Sequence, residues 1–381
     1  MKHWPTRPLA DAYWFQEGPG VRKWQFLNSG IKLLNVANIT KQGALDLSKS
    51  DRYLSKEEVT EKYSHFLVDE GDLVIASSGI SFDEDGLLRT RGAFVGPQHL
   101  PLCLNTSTVR FKPKEGVSTL AWLRYWLDSV EFRGQITRLV TGSAQQNFGP
   151  SHLKATNISL PPLAEQERIV KLLDEADELR KLRTQADRRT ASLIPALFHQ
   201  MFGDPAKNLK GWPEVKLVEV TSPKQWPTIT QQQLTKSGFP VFGANGRIGF
   251  YSDFNHEEPT VLITCRGATC GTINVSEPKS YVTGNAMALD EPNFDLLNLQ
   301  YLEWVLRVRG AQDTITGTAQ PQITRQSLAR VTFPVAPLPL QTEFSQRVTE
   351  IRELEADQTA SRRRLDDLFQ SLVHRAFASE L

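Results

Sequence analysis

The sequence predicts a mixed α+β protein made of two similar globular domains, separated by two long antiparallel helices that form a coiled coil and related by a pseudo-twofold internal repeat. Two observations predict it. A stretch of sequence recurs downstream in unbroken register, and each copy closes with a long helical stretch that carries an apolar seam.

The repeat is clearest where Thr141-Gly-Ser-Ala-Gln145 returns as Thr316-Gly-Thr-Ala-Gln320, a displacement of 175 positions. The same displacement carries Pro162-Leu163 onto Pro337-Leu338, Gln166 onto Gln341 and Ile169 onto Phe344. It then carries Arg188-Arg189 onto Arg363-Arg364, Leu193 onto Leu368, His199 onto His374 and Phe202 onto Phe377. Upstream the copies differ in length but keep the order of their features. Asp72 to Gly79 resembles Thr260 to Gly267, Asn105 pairs with Asn285, and the helical pattern Trp122 to Leu127 matches Tyr301 to Leu306. The resulting order is a first domain over 1–160, a central spacer helix over 161–205, a second domain over 206–336 and a terminal helix over 337–381. Short β-rich runs at Leu73–Ala76, Val261–Thr264 and Val331–Phe333 lie between Gly, Pro, Asn and Asp turn signals, so both domains are mixed and their strand order stays open.

The central helix opens on Pro161-Pro162, carries Glu165 and Glu167 in its first turn and stops at Phe202-Gly203-Asp204-Pro205. Pro195 is a candidate break near its end. Spacings of alternately four and three residues select Leu172, Ala176, Leu179, Arg183, Ala186, Thr190, Leu193 and Leu197 as a seam. The second copy supplies Arg347, Ile351, Leu354, Gln358, Ser361, Leu365, Leu368 and Leu372. Both seams are apolar toward the ends and polar in the middle, so antiparallel pairing sets polar centre against polar centre. Burial of each helix in its own domain is the alternative.

Composition excludes several classes. Hydrophobic content of 40% and charged content of 23% are those of an ordinary globular protein, and no apolar run reaches the roughly 18 residues of a membrane span. The opening residues Met1-Lys-His-Trp-Pro lack the apolar core of a secretion signal, so the cytoplasm is the expected compartment. Cys103, Cys265 and Cys270 are expected as buried thiols, since their spacing does not suit a zinc ribbon. The net charge of +1 does not by itself announce a nucleic-acid partner, but 44 basic residues can still crowd one face.

Enzyme chemistry finds no foothold. No Asn-Pro-Pro or Asp-Pro-Pro methyltransferase motif, Gly-rich dinucleotide loop, phosphate loop or zinc-helix motif is present. His256-Glu257-Glu258 beside Pro259 reads as a solvated turn, and Asp83, Glu84 and Asp85 read as a polar loop turning at Gly86 rather than as a metal site. The expectation is therefore no catalytic residue, no metal ligand and no cofactor held by this chain.

Four stretches carry a resemblance along essentially the whole chain: Leu160-Pro-Pro-Leu-Ala-Glu-Gln-Glu-Arg-Ile169, Leu193 to Pro205, Leu338-Pro-Leu-Gln341-Thr-Glu-Phe344, and Phe239-Pro-Val-Phe-Gly-Ala-Asn-Gly246. The chain resembles the specificity subunits of type I restriction-modification systems. That resemblance implies two target recognition domains held apart by two antiparallel helices, each reading one half of a bipartite double-stranded DNA site. It also implies docking of modification subunits that methylate adenine with S-adenosylmethionine, and a restriction subunit that cleaves. The rival readings are a coiled-coil protein-interaction adaptor and a stand-alone restriction or modification enzyme, and the latter needs a catalytic module that this sequence lacks.

Base edges are matched by Arg, Lys, Asn and Gln, and phosphates by Lys and backbone amides. The candidates are Gln145, Gln146, Asn147, Gln320 and Gln322 in the paired Thr-Gly loops, with Arg22, Lys23, Arg89 and Arg91 in the first domain and Lys224, Asn245, Arg247 and Arg266 in the second. The Thr-Gly loops have an alternative role as plain connections beside the long helices. Trp14, Phe15 and Trp24 are expected to pack in the core rather than stack on DNA.

Overall fold

In a strand buried on both faces, alternate side chains must feed two separate cores. Leu73–Ala76 does so: Leu73 and Ile75 join Trp122, Trp126 and Phe132, while Val74 and Ala76 join Leu34, Ile39 and Leu102. The computed structural model describes residues 4–83, 85–140, 147–317 and 320–381. The chain divides into two compact units, residues 1–182 with 362–381 and residues 183–361.

In the first unit Leu73–Ala76 sits inside an antiparallel sheet whose order is Tyr13–Glu17, Thr108–Pro113, Leu73–Ala76, Gly92–Phe94. A second sheet has Ile31–Leu33 at its centre, antiparallel to Tyr53–Leu54 and parallel to Leu102–Cys103. Thr6–Pro8 pairs with Asn157–Ser159 beside them. The second unit repeats this plan. Its four-stranded order is Ser222–Gln225, Ala286–Asp290, Val261–Thr264, Ile273–Val275. Its three-stranded sheet centres on Phe239–Gly243, antiparallel to Gly246–Tyr251 and parallel to Tyr281–Val282, and Glu214–Lys216 pairs with Thr332–Pro334.

The repeat therefore reaches the start of each domain in a register that the sequence comparison missed. A displacement of 208 positions carries Thr6–Pro8 onto Glu214–Lys216, the short helix Leu9–Ala12 onto Leu217–Val220, and Glu17 onto Gln225. It also carries Gly30 onto Gly238. Both take φ near +133°, and a Cβ at either would lie 2.2 Å from Leu54 O or 2.4 Å from Tyr251 O, so only glycine fits.

The central helix runs Leu163–Ala191 and resumes as Leu193–Phe202; the terminal helix runs Leu338–Phe377. The break at Ser192 follows from Pro195, which has no N–H to give and whose ring crowds the carbonyl four residues earlier, that of Ala191. Both long helices start on a buried glutamine. Gln166 Oε1 accepts from Thr119 N–H (3.1 Å), and its Nε2 donates to Val117 O (3.0 Å) and Pro161 O (2.8 Å). Gln341 repeats the set: Oε1 accepts from Asn298 N–H (2.7 Å), and Nε2 donates to Leu296 O (2.9 Å) and Ala336 O (2.7 Å).

Each domain core takes in the start of one long helix and the end of another. Ile169 and Leu173 join Val373 and Phe377 in the first core, where Phe377 packs on Trp122 at 4.5 Å. Phe344 and Val348 join Phe198 and Phe202 in the second, around Tyr301. Between the ends the helices meet through polar groups. In the first unit Arg180 Nε donates to Asp366 Oδ1 (2.7 Å), with its guanidinium over Phe369; in the second Gln358 Nε2 donates to Thr190 Oγ1 (3.0 Å). Later residues of one helix meet earlier residues of the other, as antiparallel pairing requires.

The seam needs correction. Leu179, Leu193, Leu354 and Leu368 stand 43–52% exposed. Ala176 is buried, and Leu172, Leu197, Ile351, Leu365 and Leu372 are half-buried. The buried face keeps Ala176 and otherwise lies one position over, through Leu173, Ile194 and Phe198 in one helix and Val348, Phe369 and Val373 in the other. Helix ends that enter a globular core need an apolar face wider than a two-per-heptad seam, and the 3.6-residue period then governs. The three cysteines are free and buried, and no helix among the described residues is long and apolar enough to cross a membrane.

At the start of the helix Val130–Leu139, Glu131 accepts from Ser159 Oγ (3.5 Å), and burial pushes its carboxyl from the ordinary 4.5 up to about 7. The folded chain thus holds a proton that the unfolded chain releases near pH 4.5, so stability falls as pH rises between about 4.5 and 7. Glu131→Gln is expected to raise Tm at pH 8 and leave it unchanged at pH 4; an equal Tm at pH 8 refutes the burial argument. Gln341→Leu strands one N–H and two carbonyls in the interior and is expected to destabilise the second domain by about 3 kcal/mol. An unchanged urea midpoint would show that the glutamine is dispensable.

Candidate nucleic-acid interface

The Thr-Gly loop of the second domain is closed at its base, while Thr318 and Ala319 lie outside the described residues. Thr316 and Gln322 each donate N–H to the other's carbonyl at 2.9 Å. Gly317 takes φ +83°, and a Cβ there would lie 2.8 Å from Gln320 O, which is why the motif needs its glycine. The base of the Thr-Gly loop docks on the loop after Val261–Thr264: Ile323 N–H donates to Cys265 O (3.0 Å), Gly267 N–H to Pro321 O (3.3 Å), and Arg266 bridges to Gln322.

A second turn joins the same loop. Asn245 lies at the tip between Phe239–Gly243 and Gly246–Tyr251, and its Oδ1 accepts from Thr269 Oγ1 (2.5 Å), while Thr264 Oγ1 donates to Ala244 O. Backbone bonds thus bring Arg266, Gln320 and Gln322 together, and the Thr269 bond draws Asn245 onto the same loop. All four side chains are exposed. Lys224 does not join them, because its ammonium lies 3.6 Å over the Trp226 ring. Arg247 forms an exposed pair with Glu277 (3.6 Å) and stacks over Phe250.

In the first domain the equivalent loop is Ser77-Ser78-Gly79. Phe148 N–H donates to Ser77 O (2.9 Å), and Gly79 N–H donates to Asn147 Oδ1 (3.3 Å). Gln145 and Gln146 lie outside the described residues. Around this loop opens a polar cleft of about 560 Å3 lined by Glu17, Ser77, Ser107, Asn147 and His152 among others. Sequence reasoning singled out no acidic residue here. The signal that finds Glu17 is structural: it ends its strand opposite Val109, as Gln225 ends the matching strand opposite Met287.

Arg22 and Lys23 are exposed on a rigid turn. Arg22 N–H donates to Gln25 Oε1 (2.7 Å), and Gln25 Nε2 donates in turn to Glu58 (2.7 Å) and Tyr63 (3.2 Å). Trp24 on that turn is 80% exposed and Trp14 is 43% exposed, contrary to the core packing expected for both; Phe15 alone stacks inward, on Phe111. The turn buries Gln25 and turns Trp24 outward. Arg89 and Arg91 do not line the cleft: Arg89 pairs with Asp83 (3.2 Å), and the Arg91 guanidinium donates to Ile39 O (3.4 Å).

Two of the acidic positions serve the scaffold, and Glu84 between them lies outside the described residues. Asp83 and Asp85 flank the Arg133 guanidinium at 3.2 and 2.7 Å. Partial burial opposes ionisation of Asp85, but the Leu87 N–H and Arg133 outweigh it and hold its carboxyl below the usual range. His256 is buried rather than solvated. Its Nε2 lies 3.0 Å from Asp290 and its Nδ1 2.6 Å from Asn255, because Asp290 already accepts from Trp226 Nε1 and draws the imidazole inward.

Known proteins place this architecture. The family model for type I restriction modification DNA specificity domains matches residues 4–187 and 209–360. A structure solved in work on complex assembly and conformational transition of the type I restriction-modification system has TM-score 0.64 at 20% identity, covering 100% of this chain and 98% of that one. The S subunit of the type I system of M. genitalium has TM-score 0.56 at 18% identity, covering 98% and 96%. At such identity the two structures share the fold. No curated protein sequence matches the chain. With the family model spanning both halves of the repeat, the chain belongs to the type I restriction-modification DNA specificity family and is a DNA-recognition subunit of such a system.

Proposed function

We propose that each domain reads one half of an asymmetric bipartite site in double-stranded DNA, while modification subunits that methylate adenine with S-adenosylmethionine dock on the long helices and restriction subunits join the complex to cleave. One observation carries the reading. In both domains the loop after the matching strand accepts the same backbone bond, Phe148 N–H to Ser77 O and Ile323 N–H to Cys265 O, yet Arg266, Gln320 and Gln322 stand around it in one and Ser78 and Asn147 in the other. Arg, Gln and Asn offer the donor and acceptor pairs that distinguish bases in the major groove. Equivalent places with unlike side chains suit two unlike half-sites. The exposed Leu179, Leu182 and Leu193 of one helix and Leu354 and Leu368 of the other offer apolar surface to modification subunits. A DNA target and methylating partners place the assembly in the cytoplasm, and the catalytic chemistry lies with those partners.

Co-expression with a modification subunit and sequencing of host DNA for N6-methyladenine is expected to show a two-part motif that appears only with this chain. Methylation without such a motif, or a stable complex that binds genomic fragments with no salt dependence, favours a protein-binding adaptor instead. Arg266→Ala and Gln322→Ala are each expected to cost about tenfold in preference at one base pair of one half-site. Loss spread evenly over both halves would remove these residues from the reading surface.

A further inference from the structure

The cleft of the first domain holds a carboxylate where a DNA-facing surface would ordinarily hold a cation. Glu17 makes no hydrogen bond or ion pair among the described residues, and burial alone pushes its carboxyl upward. The other polar groups around it are neutral or committed. Ser77 is 1% exposed, and its Oγ has no partner among the described residues although the residue lines the cleft. His152 Nδ1 accepts from Gly149 N–H (3.2 Å), and Asn147 is held against Gly79. Gly79, Thr106 and Asn147 are exposed on the rim. Among the described residues no Lys or Arg lines the cleft.

Such a lining disfavours phosphate and suits a group that brings hydrogen-bond donors to an acceptor. Among the groups that base pairs present in the major groove, only the exocyclic amino groups, N4 of cytosine and N6 of adenine, are donors. Resting on the specificity reading above, we propose that Glu17 is a base-reading residue of the first half-site, accepting a hydrogen bond from the amino group of a cytosine or adenine beside the unpartnered Ser77 hydroxyl. The second domain is its internal control. The 208-position register sets Gln225 at the same point of the sheet, and the neighbouring strand, displaced there by 188 positions, sets Cys265 at that of Ser77. There the side chains satisfy each other: Gln225 Nε2 lies 3.0 Å from Cys265 Sγ and donates to Gly284 O at 3.1 Å. The two domains therefore differ in charge and in hydrogen-bonding commitment at one equivalent position.

The test uses the full chain in complex with its modification subunit, carrying Glu17→Ala or the near-isosteric Glu17→Gln, with Tm measured to show that each variant is folded. Host DNA is then sequenced for N6-methyladenine. Glu17→Ala is expected to relax one base position of one half-site, where the wild type demands cytosine or adenine, by about tenfold in preference. Glu17→Gln is expected to shift that same position toward adenine, which a glutamine amide can pair bidentately. The letter at that position in the wild-type motif identifies which amino group is read. The proposal is overturned if both variants methylate an unchanged motif, or if methylation falls evenly at every site with no change in sequence preference. A wild-type complex that methylates no two-part motif overturns the specificity reading itself, and this proposal with it.

Discussion

Everything in this fold depends on fastening two long, mostly polar helices to domains whose cores can spare little apolar surface for them. The buried glutamines do the fastening. Gln166 and Gln341 each take one N–H and two carbonyls from two other stretches of chain, so the loop before the domain helix and the proline turn are tied to the first turn of the long helix by one side chain. Backbone groups buried without partners would each cost about 1–3 kcal/mol, which makes a glutamine at this place far harder to replace than an apolar residue of the same size. The apolar ends of the helices then complete the two domain cores.

A second pair of equivalent bonds shows how the two copies keep this geometry while their sequences diverge. Trp122 Nε1 donates to Ser159 O and Tyr301 Oη to Pro334 O, so different side chains reach the same carbonyl of the strand that leads into the long helix. What selection must keep is a buried aromatic with a donor at its far end. Residue identity is secondary, and sequence similarity fades sooner than structural equivalence does.

That distinction decides what was legible. The Thr-Gly loop, the proline-opened helices and their glutamines stood in one unbroken register, and at the glutamines the reason is plain, since Gln166 and Gln341 make the same set of buried bonds. The start of each domain was not legible as a repeat. Its equivalence rests on strand register and on Gly30 and Gly238, and a lone shared glycine is no signal in a chain that has 24 of them. The seam was placed one residue off because a coiled-coil template was laid on helices whose ends serve globular cores. Residue type alone could not show which of the chosen side chains already have partners within the chain: Arg89 pairs with Asp83, Arg91 donates to Ile39 O and Lys224 lies over Trp226.

The division of labour between scaffold and tip follows from the same physics. Residues whose hydrogen bonds close on the protein itself are fixed by folding, as with Gln25 beneath the exposed turn or Arg133 between Asp83 and Asp85. At the loops beside the central strands Phe148 and Ile323 make the same backbone bond in both domains, while the side chains around them differ. Asn147 and Gln322, Ser78 and Arg266, and Trp24 and Gln232 are each an equivalent position with unlike chemistry. A fold arranged this way can exchange the outward side chain without disturbing a single buried bond. Two copies of one domain within one chain can therefore carry different specificities on a shared frame, and the places where they differ most are the places to look for what each one reads.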